Sequence, residues 1–158
     1  MRRIGLALTV LLATLAAGCA QTPATSRSAM PGSNLVPAGW VQTSQDLDAV
    51  GFDCARAADS PQVLRATAGP GVTHAQVLAQ CGRRLGEASA DLQVYDRALV
   101  RARDLPLMER ERLHALAGRL AGLLDQAEAA VGAEDMATLS TLREEIAGVE
   151  GQMLAAGA

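Results

Sequence analysis

From position 47 onward, apolar residues recur at alternating intervals of three and four. Leu47, Val50, Cys54 and Ala57 open the series. Leu78, Cys81, Leu85, Ala88, Leu92, Tyr95 and Leu99 carry it on. Leu113, Leu116, Leu120, Leu123, Ala127 and Ala130 follow the same rule, and so do Leu139, Leu142, Ile146, Val149 and Met153. Such a repeat puts one apolar stripe on each helix and suits near-antiparallel packing of helices with interlocking side chains. It predicts helices over about 44–59, 73–103, 106–131 and 134–155. The expected fold is all-α: an antiparallel four-helix bundle of one short and three longer helices.

Boundary residues agree with this division. Thr73-His74-Ala75-Gln76 has the form of a capping box. Ser44, with Asp46 and Asp48 behind it, suits the start of the first helix. Asp59 to Val72 holds two prolines and the run Gly69-Pro70-Gly71, and reads as a connecting loop. Pro106 disfavours helical geometry at Leu105, so the second helix is expected to stop near Arg103. Gly132 is expected to close the third helix in left-handed geometry. Both later connections are short, which makes the helices they join antiparallel neighbours. The competing arrangement is one long helix kinked at Pro106, but its stripes would face water.

Ahead of the periodic region the pattern changes. Met1-Arg2-Arg3 is a short basic start, and Ile4 to Leu15 follows without a charge. Twelve helical residues reach about 18 Å, short of a hydrocarbon core of about 30 Å, so the run is a signal segment and not a span. Ala16, Ala17 and Gly18 then offer narrow side chains for cleavage. The next residue is Cys19. Leu15-Ala16-Ala17-Gly18-Cys19 resembles the lipobox of bacterial lipoproteins, with Ala16 where that family favours leucine. The resemblance covers residues 1–19 only. It implies cleavage before Cys19 by signal peptidase II and fatty acylation, as with palmitate, of the cysteine. Ala20 follows, not aspartate, and in enteric bacteria that pattern implies the outer membrane. Two or three acyl chains hold stably where one does not. Ala20 to Gly39 is rich in Ala, Ser, Thr, Pro and Gly without periodicity, and is expected to be a disordered tether. The expected organisation is a signal peptide over 1–18, a lipidated cysteine and tether over 19–40, and a helical domain over 41–158.

Composition narrows the choices. The three aromatic residues are Trp40, Phe52 and Tyr95, which suits closely packed helices and disfavours a β-sandwich. Trp40, at the end of the tether, is expected to pack on the bundle; the alternative is an exposed ring gripping a partner or lipid headgroups. All fourteen basic residues are arginine. Without lysine the chain has no Schiff-base nitrogen, no phosphate-loop lysine, and no terminal lysine of the kind that joins wall-linked lipoproteins to peptidoglycan. Cleavage before Cys19 would remove Arg2 and Arg3 and leave 12 Arg against 17 acids. That acidic balance, with an extracytoplasmic address, argues against nucleic acid as a partner.

With Cys19 assigned to lipid, Cys54 and Cys81 remain. Cys54 stands about six residues before the end of the first helix and Cys81 eight after the start of the second. At 1.5 Å per residue they lie roughly 9 and 12 Å from the same loop, so an antiparallel hairpin brings them level. A Cys54–Cys81 disulfide is expected; a redox or metal pair is the rival, but there is no C-x-x-C and His74 is the nearby imidazole.

Other chemistry is sparse. His114 has no flanking acid at catalytic or metal spacing. Asp46-x-Asp48 with Gly51 has the start of a calcium loop, but Val50 and Ala57 occupy positions where ligands are required. No nucleophile elbow, zinc-protease motif or phosphate-binding glycine loop occurs. No catalytic residue, metal or cofactor is assigned. One charge feature stands out: Arg97, Arg101, Arg103, Arg110 and Arg112 gather around the expected turn between the second and third helices, among Asp104, Glu109 and Glu111. It is a docking tip for an anionic surface or acidic partner, or ordinary solvated charge. The expected function is that of a non-enzymatic cell-envelope lipoprotein, a membrane-tethered helical module facing the periplasm that binds or positions another envelope component, itself a possible homo-oligomer. The alternative is a periplasmic carrier of a small ligand or lipid.

Overall fold

A computed structural model describes residues 39–156. The expected signal segment, Cys19 and the expected tether as far as residue 38 lie outside the described residues. Five helices follow one another: α1 (Trp40–Ala57), α2 (Pro61–Ala68), α3 (His74–Arg101), α4 (Leu107–Gly132) and α5 (Met136–Ala155). Among the described residues there is no strand.

Four of these helices make an up-down-up-down bundle, and cross-helix contacts set its register. Trp40 meets Tyr95, Asp53 meets Arg84, and Cys54 is bonded to Cys81, so α1 and α3 run antiparallel. Asp96 meets His114, so α4 returns along α3. Ser44 donates to Glu150, so the last turns of α5 close the ring against the first turns of α1. The bundle therefore has a proximal end, where α1 begins, α3 hands over to α4 and α5 finishes. Its distal end holds the α1–α3 connection and the α4–α5 turn.

The seam is the alternating stripe. Leu85, Ala88, Tyr95, Leu99, Leu113, Leu120, Leu124, Val149 and Met153 are fully buried. Small seam residues such as Ala88, Ala117 and Ala127 let helix axes approach closely. The core is drawn from Trp40 to Ala156, and the disulfide lies within the same span, so the segment closes on itself.

Four local features differ from the sequence expectation. First, α1 starts at Trp40 and not near Ser44. Trp40 is buried against Tyr95, with ring centroids 5.0 Å apart, and this extends the stripe backwards through Thr43. Gly39, at φ 101°, turns the chain into the helix. Its carbonyl accepts from both the Thr43 amide at 2.9 Å and the Thr43 hydroxyl at 3.0 Å, which is how a hydroxyl residue sits fully buried. Ser44 is consequently inside the helix and donates to Glu150 at 2.7 Å instead of capping.

Second, the segment read as a loop contains α2. Ser60 caps it by accepting from the Val63 amide, Pro61 occupies its first turn, and the buried Leu64 fixes it to the core. Third, the α4 stripe moves by one position: Ala117 is buried where Leu116 was expected, and both Leu123 and Leu124 are covered. A helix flanked by two neighbours buries a wider face than a single-width seam describes.

Fourth, Gly132 is still helical, and the left-handed residue is Glu134, at φ 54°. The Asp135 amide donates back to Ala130 and the Glu134 amide to Val131, the bond pattern of a Schellman motif. Asp135 then begins α5 by accepting from the Thr138 amide at 3.0 Å.

The other boundaries follow the sequence. Thr73 and Gln76 form the reciprocal capping box of α3, with the Thr73 amide donating to Gln76 at 2.9 Å. α3 stops at Arg101, and Pro106 opens α4 by accepting from the Arg110 amide at 3.0 Å.

Candidate functional site

Cys54 and Cys81 face each other across the α1–α3 seam and form a disulfide, with Cα atoms 4.8 Å apart. Both are buried. Close by, His74 Nε2 lies 2.8 Å from the Ala57 carbonyl and ties the first turn of α3 to the last turn of α1. The pair is a structural staple held away from solvent.

Polar clusters elsewhere on the bundle are structural in form. Arg84 donates to Asp53 at 3.2 Å and to Glu87 at 2.7 Å, with Gln80 also donating to Asp53. These two carboxylates hold the guanidinium above its usual range. On α3, the neighbouring Asp46 carboxyl of α1, followed by burial and the charges of Asp46 and Glu87, pushes the Asp91 carboxyl up. Burial also pushes Glu150 up, the Ser44 hydroxyl opposes the change, and the charge of Asp48 adds to it. Glu150 lines an open groove between α1 and α5 with Leu47, Gly51, Ile146 and Ala147.

His114 does have an acid partner, contrary to the sequence reading. Its Nδ1 lies 2.5 Å from Asp96 Oδ1. The acid sits on the preceding helix, eighteen residues back, where inspection of flanking positions cannot find it. The pair is at the surface, beside a groove lined by Leu99, Val100, Leu107, Arg110 and Glu111. Among the described residues no group of three or more His, Cys, Asp or Glu is placed to hold a metal ion. Also among these residues, no helix is long and apolar enough to cross a membrane.

The arginines predicted to share a tip do share one end. Arg97 and Arg101 are exposed on the last two turns of α3, Arg103 is exposed in the turn, and Arg112 is exposed on α4. Arg110 is half-buried and reaches back toward the Ala102 carbonyl. The side chains are spread around the end; nothing draws them into one pocket.

Sequence reasoning missed the apolar residues among them. Val100, Leu107 and Met108 are 66 %, 57 % and 78 % exposed. Val41 at the start of α1 and Leu154 at the end of α5 are also exposed at this end. Of the large apolar side chains left in solvent, Phe52 and Val63 lie toward the distal end, so the exposed apolar surface is concentrated proximally. Met108 and Leu107 fall outside the seam spacing, and that was the signal available in the sequence.

Compared with protein-family models, with curated proteins and with solved structures, the chain matches none.

Proposed function

We propose that this chain is a non-enzymatic cell-envelope lipoprotein: a helical module tethered to a membrane through acyl chains on Cys19 that binds or positions another envelope component. The observation that carries the reading is the run from Ile4 to Cys19, in which an uncharged segment too short to span a bilayer narrows to Ala16-Ala17-Gly18 and stops at a cysteine. The Cys54–Cys81 disulfide supports an oxidising compartment, where such bonds persist. Ala20 after the anchor favours the outer membrane, with the bundle facing the periplasm. A surface of open grooves and scattered charge suits contact with a macromolecule better than turnover of a small substrate.

Fractionation tests the anchor. The full precursor in its native host is expected in the membrane fraction and labelled by a palmitate analogue. Cys19→Ala is expected to lose the label and leave the mature bundle unanchored. Label that persists in Cys19→Ala, or a wild-type chain without label, overturns the reading. Cross-linking of intact cells then identifies the positioned component, whose capture is expected to depend on Cys19.

A further inference from the structure

The proximal end combines two features that converge on one class of ligand. The first is apolar: Leu107 and Met108 project from the first turn of α4 beside Val100, all largely in solvent. Isolated exposed apolar residues are ordinary, but a group gathered toward one end of a bundle marks a contact surface. The second is charge. Residues 97–112 hold five arginines against three acids, on a described domain that is otherwise acidic.

Exposed apolar side chains among exposed arginines at one end of the bundle match a bilayer interface, where phosphates and acyl chains lie close together. An acidic protein would match the arginines but would leave Met108 and Leu107 opposite charge. We propose that the proximal end docks on an anionic phospholipid surface. Leu107 and Met108 enter the headgroup region, and Arg101, Arg103 and Arg110 meet lipid phosphates. α1 begins at this same end, so the chain leading from Cys19 joins the bundle at the docking face. That the surface is the membrane holding Cys19 rests on the lipid-anchor reading; the lipid affinity of the tip does not.

The test uses a chain from Ala20 to Ala158, which lacks the signal segment and the acylation site but keeps the whole core and the disulfide. It is sedimented with vesicles of phosphatidylcholine alone and of phosphatidylcholine with phosphatidylglycerol. Binding is expected to the anionic vesicles and to fall with salt. Arg101→Gln combined with Arg103→Gln is expected to lower partitioning on the order of tenfold. Leu107→Ser combined with Met108→Ser is expected to lower it by a similar factor, with thermal stability unchanged because both side chains are exposed. Absence of binding to either vesicle overturns the proposal, as does equal binding by the variants. Self-association that the Leu107 and Met108 changes abolish, without lipid binding, assigns the face to a second copy and also overturns it. Because this chain cannot be acylated, these outcomes are independent of the Cys19→Ala fractionation.

Discussion

Tyr95 offers a sharp test of how this core is held. Its ring is fully buried against Trp40, and its hydroxyl has no hydrogen-bond partner among the described residues. A buried hydroxyl that has given up water without replacement costs about 1–3 kcal/mol. Tyr95→Phe keeps the ring and removes the cost, so the variant is expected to be more stable by about 1 kcal/mol or more at pH 7. For a domain of this size that raises Tm by roughly 3–6 °C per kcal/mol. The same burial, with a smaller contribution from the charge of Asp96, pushes the phenol far above its ordinary value.

The sign of the alkaline dependence follows. The unfolded phenol loses its proton near pH 10 while the folded one keeps it. Above about pH 10 the unfolded state therefore binds fewer protons, and wild-type stability falls by about 1.4 kcal/mol per pH unit. The background is favourable, because the chain has one tyrosine and no lysine. Urea denaturation of the Ala20–Ala158 chain from pH 7 to 11, followed by far-ultraviolet circular dichroism, reads both effects. Tyr95→Phe is expected to be flat above pH 10 where wild type declines. A variant that is less stable at pH 7, or an alkaline slope shared by both chains, would refute an unpartnered buried phenol.

Two further expectations concern the α1–α3 pair. The disulfide closes a sequence separation of 27, which on the chain-entropy account stabilises the fold by about 3–4 kcal/mol. Cys54→Ala with Cys81→Ala, or thiol reduction of wild type, is expected to lower the urea midpoint accordingly; a loss under about 1 kcal/mol speaks against the account. Asp91→Asn is expected to stabilise the fold at pH 7 by no more than about 1 kcal/mol, because the pair with Asp46 is largely solvated. Since the folded carboxyl is raised, its stabilising contribution is present at low pH and lost as pH rises through the folded value. The advantage of asparagine should thus vanish below about pH 4, and a midpoint difference that persists there contradicts a raised Asp91 carboxyl.

The seam was readable because burial on a helix is periodic: Leu85, Ala88 and Leu92 lie where their spacing puts them. The Cys54–Cys81 level followed from helix rise alone. Features that depend on the meeting of elements were not readable. Ser44 had the chemistry of a cap, but Trp40 could extend the helix only because Tyr95 waited across the seam. Ser60-Pro61 is a good helix start, yet eight residues are too few for a periodicity to declare itself. Asp96 and His114 meet through an interhelix turn, and the exposure of Met108 depends on how that turn ends. The arginines of the tip were visible as a count; their apolar company was not.

Under the proposed anchor at Cys19, the staple between α1 and α3 would have a mechanical consequence. Tension on the chain ahead of Gly39 loads α1 at Trp40 and peels it turn by turn from Tyr95 toward the distal end. Peeling cannot pass Cys54, because there the segment under tension is covalently joined to Cys81, about two turns into α3. Fourteen released residues would add at most about 50 Å of reach. Beyond that length the load transfers through Cys81 into α3, along the axis of the longest helix among those described. An anchored bundle would thus yield at its first turns and then hold, a compliant leash ending in a hard stop.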